Sequence, residues 1–471
     1  MLCYYLIPRK WNCKYIVLFL GSLYFYCCFD FRFLFFLLFT AISTFFCGLL
    51  LCKTGKKKLL LFLCAAIIIA IWFAIKVLPW VLMISNHILH LLGVRKTISL
   101  FSELIVPIGI SYYTLQAISY LVDVYKGKTA PEKNIIKYFL FISFFPAIVQ
   151  GPISRYDELM PQLVNNNPFS IENMRRGFLL ILIGLVKKLV IADRLGTFVN
   201  QCFTSYTTLT GFTLLVGAIS YSIQLYTDFS GCVDICRGVA FFFNIELINN
   251  FNRPYLATSI RDFWTKWHIS LSRWLKDYVY IPLGGSRKGT NRKYINLIIT
   301  FLVSGLWHGA GLNFFIWGLL HALYQIIGQM TAGARQTIKK HIGVEENSKS
   351  EYLYKIVITF SLVTFAWIFF RASSFTMGLQ YIHRIISGFN LRLGFFELMQ
   401  YNRYALVVFL NLLFFLLFEA VTSSQDEAVT GVLQIHILFR WGFYLLLIFD
   451  ILLFGVYGTG YDMSGFLYGG F

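Results

Sequence analysis

Two histidines stand out chemically in residues 259–313, SIRDFWTKWHISLSRWLKDYVYIPLGGSRKGTNRKYINLIITFLVSGLWHGAGLN. Imidazole gains and loses a proton near neutral pH, so it can serve as a general base or carry a transferred group. His268 belongs to an amphipathic stretch. Placed at 100° intervals, Phe263, Trp264, Trp267, Leu271, Trp274, Leu275 and Tyr278 form one arc, and Asp262, Lys266, Arg273, Lys276 and Asp277 fill the other side. His268 falls at the margin of the apolar arc. Such a helix, rich in tryptophan and cationic on its polar side, is expected to lie in a membrane-water interface. The plain alternative is an interfacial histidine in an ordinary hydrogen bond.

His308 sits near the middle of an almost uncharged run, Tyr294 to Leu320, long enough to cross a bilayer core at about 20 residues per crossing. An ionisable side chain there costs free energy unless it is paired or faces a cavity, which makes it a functional candidate by default. Ser304, Gly305, Gly309, Ala310 and Gly311 surround it with small side chains, expected to leave space where a substrate can approach from either aqueous phase. Trp307, Ser304 and Asn313 are channel or substrate candidates by position. The alternative is a histidine that bonds a neighbouring helix, with the glycines serving close packing.

The elements that position these residues are membrane elements. Of 471 residues, 58% are hydrophobic and only 13% charged, and mean hydropathy is +0.67. That composition excludes an ordinary soluble domain and predicts a single all-α polytopic membrane domain over 1–471. Apolar runs recur at 15–29, 31–52, 59–84, 100–125, 134–151, 177–195, 211–226, 232–248, 294–330, 352–370, 404–420 and 434–457. They predict about ten to twelve membrane segments, some short or re-entrant. The net charge of +19 comes from 41 basic against 22 acidic residues. Its clustering in short loops, CKTGKKK at 52–58 and GGSRKGTNRK among them, follows the positive-inside pattern and argues for a cytoplasmic membrane face, not nucleic acid. The ten cysteines form no C-x-x-C and read as small buried hydrophobes. Tyr15–Phe29 is expected to be a retained segment, since no small-residue cleavage site follows it.

Three further stretches carry polar groups at membrane depth. Residues 106–123, VPIGISYYTLQAISYLVD, are polar for a membrane segment, and FFPAIVQGPISRY at 144–156 breaks the helical pattern and ends in Arg155, which could contact a substrate anion or a lipid headgroup. Within 221–254, Gln224, Asp228, Asp234 and Arg237 must pair or face water. Asp228 could orient a histidine, bind a cation or form a structural ion pair. His87 and His90 lack further ligands nearby, so no metal site is expected. His321 lies 13 residues beyond His308, which in a continuous helix is about 220° around and ~20 Å along, too far to share a site. Residues 331–351 read as a solvent-exposed loop. G-x-S-x-G, H-E-x-x-H and the phosphate-binding G-x-x-x-x-G-K-[ST] are all absent from the sequence.

The strings QLYTDFSG, NNFNRPYLATSIRDFWTKWHISLSRWLKDYVYIPLGGSRKG and SGLWHGAGLNFFIWGLLHAL, supported by PIGISYYTLQAISYLVDVYKGK and FFPAIVQGPISRY, resemble the membrane-bound O-acyltransferase (MBOAT) family. The YIPLGG followed by a basic linker looks like its alginate O-acetyltransferase-like bacterial branch. Members usually begin with another apolar helix before a Y-x-L-P-R-[RK] turn. Here MLCYYLIPRK starts almost at that turn, so that helix is shortened or lies upstream of this start. The tail YDMSGFLYGGF resembles the branch's ending only loosely.

The resemblance implies an MBOAT-like helical bundle around a central channel in the cell membrane. It implies multi-pass topology and passage of acetyl from a cytoplasmic thioester, acetyl-CoA, towards an extracytoplasmic polysaccharide or cell-wall polymer. No tightly bound cofactor or metal is implied. The residue matching His308 is the family's catalytic histidine, as base or transient acyl carrier, and His268 matches the second essential position, which could bind or position the donor. The basic linker 287–293 could attract the donor's phosphates. An extracytoplasmic SGNH-type acetyltransferase is the implied partner, alongside the lipid bilayer. The alternatives are D-alanyl transfer to teichoic acid, and a transporter or flippase in which the histidines only relay protons or bind substrate.

Overall fold

A computed structural model describes residues 1–92, 106–342, 348–401, 404–420 and 424–457. Every regular element among them is helical. This is what apolar runs with few internal breakers dictate, because helices satisfy their own backbone groups where water is scarce. Among the described residues, four helices are long and apolar enough to cross a membrane alone: α1 (Phe33–Leu51), α2 (Lys57–Lys76), Lys349–Arg371 and Ile437–Phe454. The bent pair Leu391–Gln400 and Ala405–Phe418 makes a fifth if taken as one span. Other apolar runs form shorter helices, such as Lys14–Cys27 and Leu78–Leu91, or long helices that carry more polar residues, such as Gly211–Phe241, Thr290–His308 and Leu312–Met330. The chain is an all-α membrane protein.

The fold divides into two compact units. One holds Met1–Gly177 and Cys236–Ile248. Here the polar stretch 106–123 becomes α3 (Ile110–Tyr125), buried on nearly every residue, which explains why it can be polar without meeting lipid. Trp72 Nε1 of α2 donates to Ser111 Oγ at 3.2 Å, and the ring of Tyr120 packs where Gly48 of α1 leaves room. The expected break at 144–156 is present as non-helical backbone between helices Ile135–Ser143 and Tyr156–Val164. Most of it is buried in protein, the setting in which irregular backbone is tolerated.

The other unit holds Phe178–Ile235 and the described chain from Asn249 to Tyr457. Its elements include most of α4 (Gly211–Phe241), α5 (Ile260–Lys266), α6 (Ile269–Leu275), α7 (Thr290–His308), α8 (Leu312–Met330) and α9 (Lys349–Arg371). α9 starts where Ser348 Oγ accepts from the Glu351 amide, a side-chain cap with an acidic residue in the first turn. The helix preceding α4 widens into a π-helical turn over Val186–Ala192. There Gly184 and Gly231 meet backbone to backbone, so a methyl on either would collide with the other's carbonyl. The expected loop at 331–351 is instead helical over Ala332–Ile342, with 343–347 outside the described residues. The tail 461–471 also lies outside them.

Candidate functional site

The amphipathic segment does not form one interfacial helix. α5 begins at Ser259, whose Oγ accepts from the Asp262 amide at 3.1 Å, and it ends after a 2.9 Å ion pair between Lys266 and Asp262. The chain then turns at His268, which has φ 43 and ψ 55, before α6 starts. The turn is imposed from a distance. Asn250 accepts from the Ile269 amide through its carbonyl and from the Ser270 amide through its side chain, each at 3.0 Å. A left-handed conformation at a non-glycine residue costs about 1–3 kcal/mol and persists where the surroundings over-determine it, often at functional positions. The apolar arc also faces protein instead of lipid: Phe263, Trp267, Leu271 and Leu275 are buried, with Trp267 5.3 Å from the ring of Trp367. His268 itself is 1% exposed, so it is not a surface residue at an interface.

The second apolar run is broken too. α7 ends at His308, and α8 starts at Leu312 after Gly309, Ala310 and Gly311, so His308 is a helix terminus and not the middle of a span. The small residues around it are filled space. A Cβ at Gly305 would lie 2.5 Å from the Phe314 carbonyl oxygen, and one at Gly309 would strike the Phe314 ring. The imidazole is 3% exposed, with ring centroids of Trp307 at 4.7 Å, Trp317 at 5.1 Å and Phe370 at 5.2 Å. The open approach expected from the glycines is therefore absent in this conformation, because Phe314 and the aromatic rings occupy it.

Trp307 joins the two histidines, its ring 4.7 Å from His308 and 6.0 Å from His268. Phe229 of α4 closes the far side of His268 at 4.8 Å. The break between α7 and α8 also brings in His321, which a continuous helix would have carried away. It sits 5.1 Å from the other edge of the cluster at Trp317, and its Nδ1 accepts from Trp264 Nε1 at 3.2 Å. Ser304, one turn before His308, is fully buried, and its hydroxyl has no hydrogen-bond partner among the described residues.

Other candidates have different positions. Asn313 holds the start of α8 to the end of α9, donating to the carbonyls of Ala372 at 2.9 Å and Phe369 at 3.4 Å. Asp228 pairs with Lys188 at 2.6 Å, and Lys188 also reaches Asp193 at 2.8 Å. Asp234 pairs with Lys187 at 2.9 Å and accepts from Gln425 at 2.8 Å. Arg155 is buried in the other unit, just ahead of helix Tyr156–Val164. Lys187 and Lys188, the cations in these pairs, lie within the apolar run 177–195, where two lysines at membrane depth are themselves a sequence signal. On an unbroken helix His321 would lie far from His308; the break at 309–311 brings it back to the cluster.

Beside this cluster lies a cavity of about 410 Å³ between α5, α6, α7 and α8. Arg261, Arg273, Lys276 and Lys293 give its walls positive charge, and Trp264, Thr300 and Phe301 form apolar floor with one hydroxyl. Such a site suits a ligand with an anionic end and an uncharged arm. Among the described residues, no group of three or more His, Cys, Asp or Glu is placed to hold a metal.

The family model for MBOAT, the membrane-bound O-acyltransferase family, matches residues 131–375, more than half of the chain and all of the histidine cluster. A probable alginate O-acetylase, AlgI, of Pseudomonas aeruginosa is 36% identical over 318 residues, covering 68% of this chain and 57% of that protein. A peptidoglycan O-acetyltransferase of Helicobacter pylori is 40% identical over 310 residues, 60% of this chain and 57% of that protein. A teichoic acid D-alanyltransferase of Bacillus subtilis is 29% identical over 282 residues, 58% of this chain and 70% of that protein. The chain thus spans little more than half the length of the acetylating relatives it matches. Broken helices, paired buried histidines and the family match agree: this chain belongs to the membrane-bound O-acyltransferase family.

Proposed function

We propose that the protein is a multi-pass cell-membrane O-acyltransferase that passes acetyl from a cytoplasmic thioester, acetyl-CoA, towards an extracytoplasmic polysaccharide or cell-wall polymer. His308 is the catalytic residue and His268 the second essential one. The observation that carries this reading is the placement of both imidazoles on one tryptophan inside the matched region, beside a cavity whose charges suit a phosphorylated donor. In the reaction, the acceptor's hydroxyl oxygen attacks the thioester carbonyl while imidazole takes its proton. The C–S bond then breaks and the thiolate leaves, to be protonated in turn. A base of this kind contributes typically ~10²–10⁴-fold. Because His308 is enclosed in this conformation, turnover requires its aromatic cover to move. The polymer could receive acetyl directly or through an SGNH-type acetyltransferase on the outer side.

Acetyl is favoured over D-alanine because the relatives named as acetylating reach 36–40% identity, against 29% for the B. subtilis D-alanyltransferase. The test is to measure ester-linked acetyl and ester-linked D-alanine on the surface polymers of cells with and without the gene. Loss of acetyl alone supports the proposal. Loss of D-alanine supports the second reading, and loss of neither, with an unmodified solute transported by purified protein in vesicles, supports a transporter.

A further inference from the structure

The basic cavity and His308 are separated by two layers of rings. Trp264 and Phe301 form the floor on the cavity side. Behind them stand Trp317, 5.8 Å from Trp264, and His321, 5.1 Å from both Trp264 and Trp317. Trp317 then meets His308 at 5.1 Å. Within this partition, one directional bond is formed by side chains: Trp264 Nε1 donates to His321 Nδ1. Both partners are buried.

One face of α7 runs from the cavity to His308. Thr300 lines it, Ser304 follows one turn on and His308 one turn further, at i, i+4 and i+8, so about 12 Å of helix surface joins them. Ser304 is fully buried there with no hydrogen-bond partner for its hydroxyl among the described residues. A buried hydroxyl without a partner costs free energy in the closed state, a cost recovered if a polar ligand group passes along this face.

Resting on the acyl-transfer reading above, we propose that His321 is a positioning residue that latches Trp264 shut between the donor cavity and His308, and that releasing this bond extends the cavity along Thr300 and Ser304 to the imidazole. The latch keeps water from the thioester end of the donor until the site is engaged. His321 takes no part in the bond-making steps; it acts through the indole it holds.

The experiment reads access, so its outcome is separate from whether the protein transfers acetyl. Purified full-length H308C is treated with methyl methanethiosulfonate, and the modification rate at position 308 is followed by peptide mass spectrometry. H321L removes the acceptor, W264F removes the donor while keeping a ring, and H321Q keeps an acceptor. In the H308C background, H321L and W264F are expected to raise the rate about five-fold, the population shift that one buried hydrogen bond controls. H321Q is expected to stay near the parent rate. The native thiol of Cys202, fully buried, reports on folding. The proposal is overturned if no variant accelerates labelling, or if H321Q opens the site as much as H321L. It is also overturned if both H321L and W264F expose Cys202, since the bond would then support the fold and gate nothing.

Discussion

The pair Lys188–Asp228 offers a test of how the site is supported. Both side chains are nearly inaccessible, at 4% and 1%, and Asp228 precedes the Phe229 that packs on His268. Replacing Lys188 with methionine keeps an unbranched side chain one atom shorter but leaves the Asp228 and Asp193 carboxylates without their shared cation. Breaking a buried pair from one side costs about 3–5 kcal/mol, because the remaining charge stays desolvated. D228N removes the opposite charge and is milder, since Asp193 still neutralises Lys188. The double variant K188M/D228N relieves part of the strain and is expected to be about 2 kcal/mol more stable than the sum of the singles predicts, within the usual coupling range for groups in contact. The assay is reversible unfolding of purified protein in mixed micelles titrated with dodecyl sulfate. If K188M costs less than about 1 kcal/mol, or the two changes add within about 0.5 kcal/mol, the pair is solvated and the electrostatic reasoning is wrong.

Other predictions follow from the packing around the imidazoles. G309A is expected to destabilise the protein by about 1–3 kcal/mol through collision with the Phe314 ring, and F314L in the same chain to recover part of the loss, both by the same titration. N313A leaves the Ala372 carbonyl without its donor and is expected to cost about 1–3 kcal/mol while leaving the rest of α8 intact. R273E reverses charge on the cavity wall. It is expected to raise the KM for an acetyl-thioester donor severalfold with kcat changed less, and the difference from the parent enzyme should shrink as salt is added.

The sequence made the fold class legible because apolar composition and the scarcity of charge leave helices as the economical solution for this chain. The break at 144–156 was legible as well, since Pro146, Gly151 and Pro152 act locally. The break at His268 was not. It depends on hydrogen bonds to Asn250, 19 and 20 residues upstream of the amides it accepts from, and a helical wheel assumes the continuity that those bonds interrupt. The glycines near His308 were visible but ambiguous: the same residue type that would open a pocket lets Phe314 and the α8 backbone close one. The lysines at 187 and 188 were hidden because averaging over an apolar run hides two charges whose partners, Asp228 and Asp234, lie some 40 residues away.

Acyl transfer through His308 is the claim on which the functional account stands. Its most direct measurement is the ester-linked acetyl content of surface polymer in cells carrying H308A in place of the parent chain, with the variant quantified in the membrane fraction. The account predicts membrane-resident protein at parental level and acetyl reduced to that of cells lacking the gene. Parental acetylation in the H308A cells would contradict it.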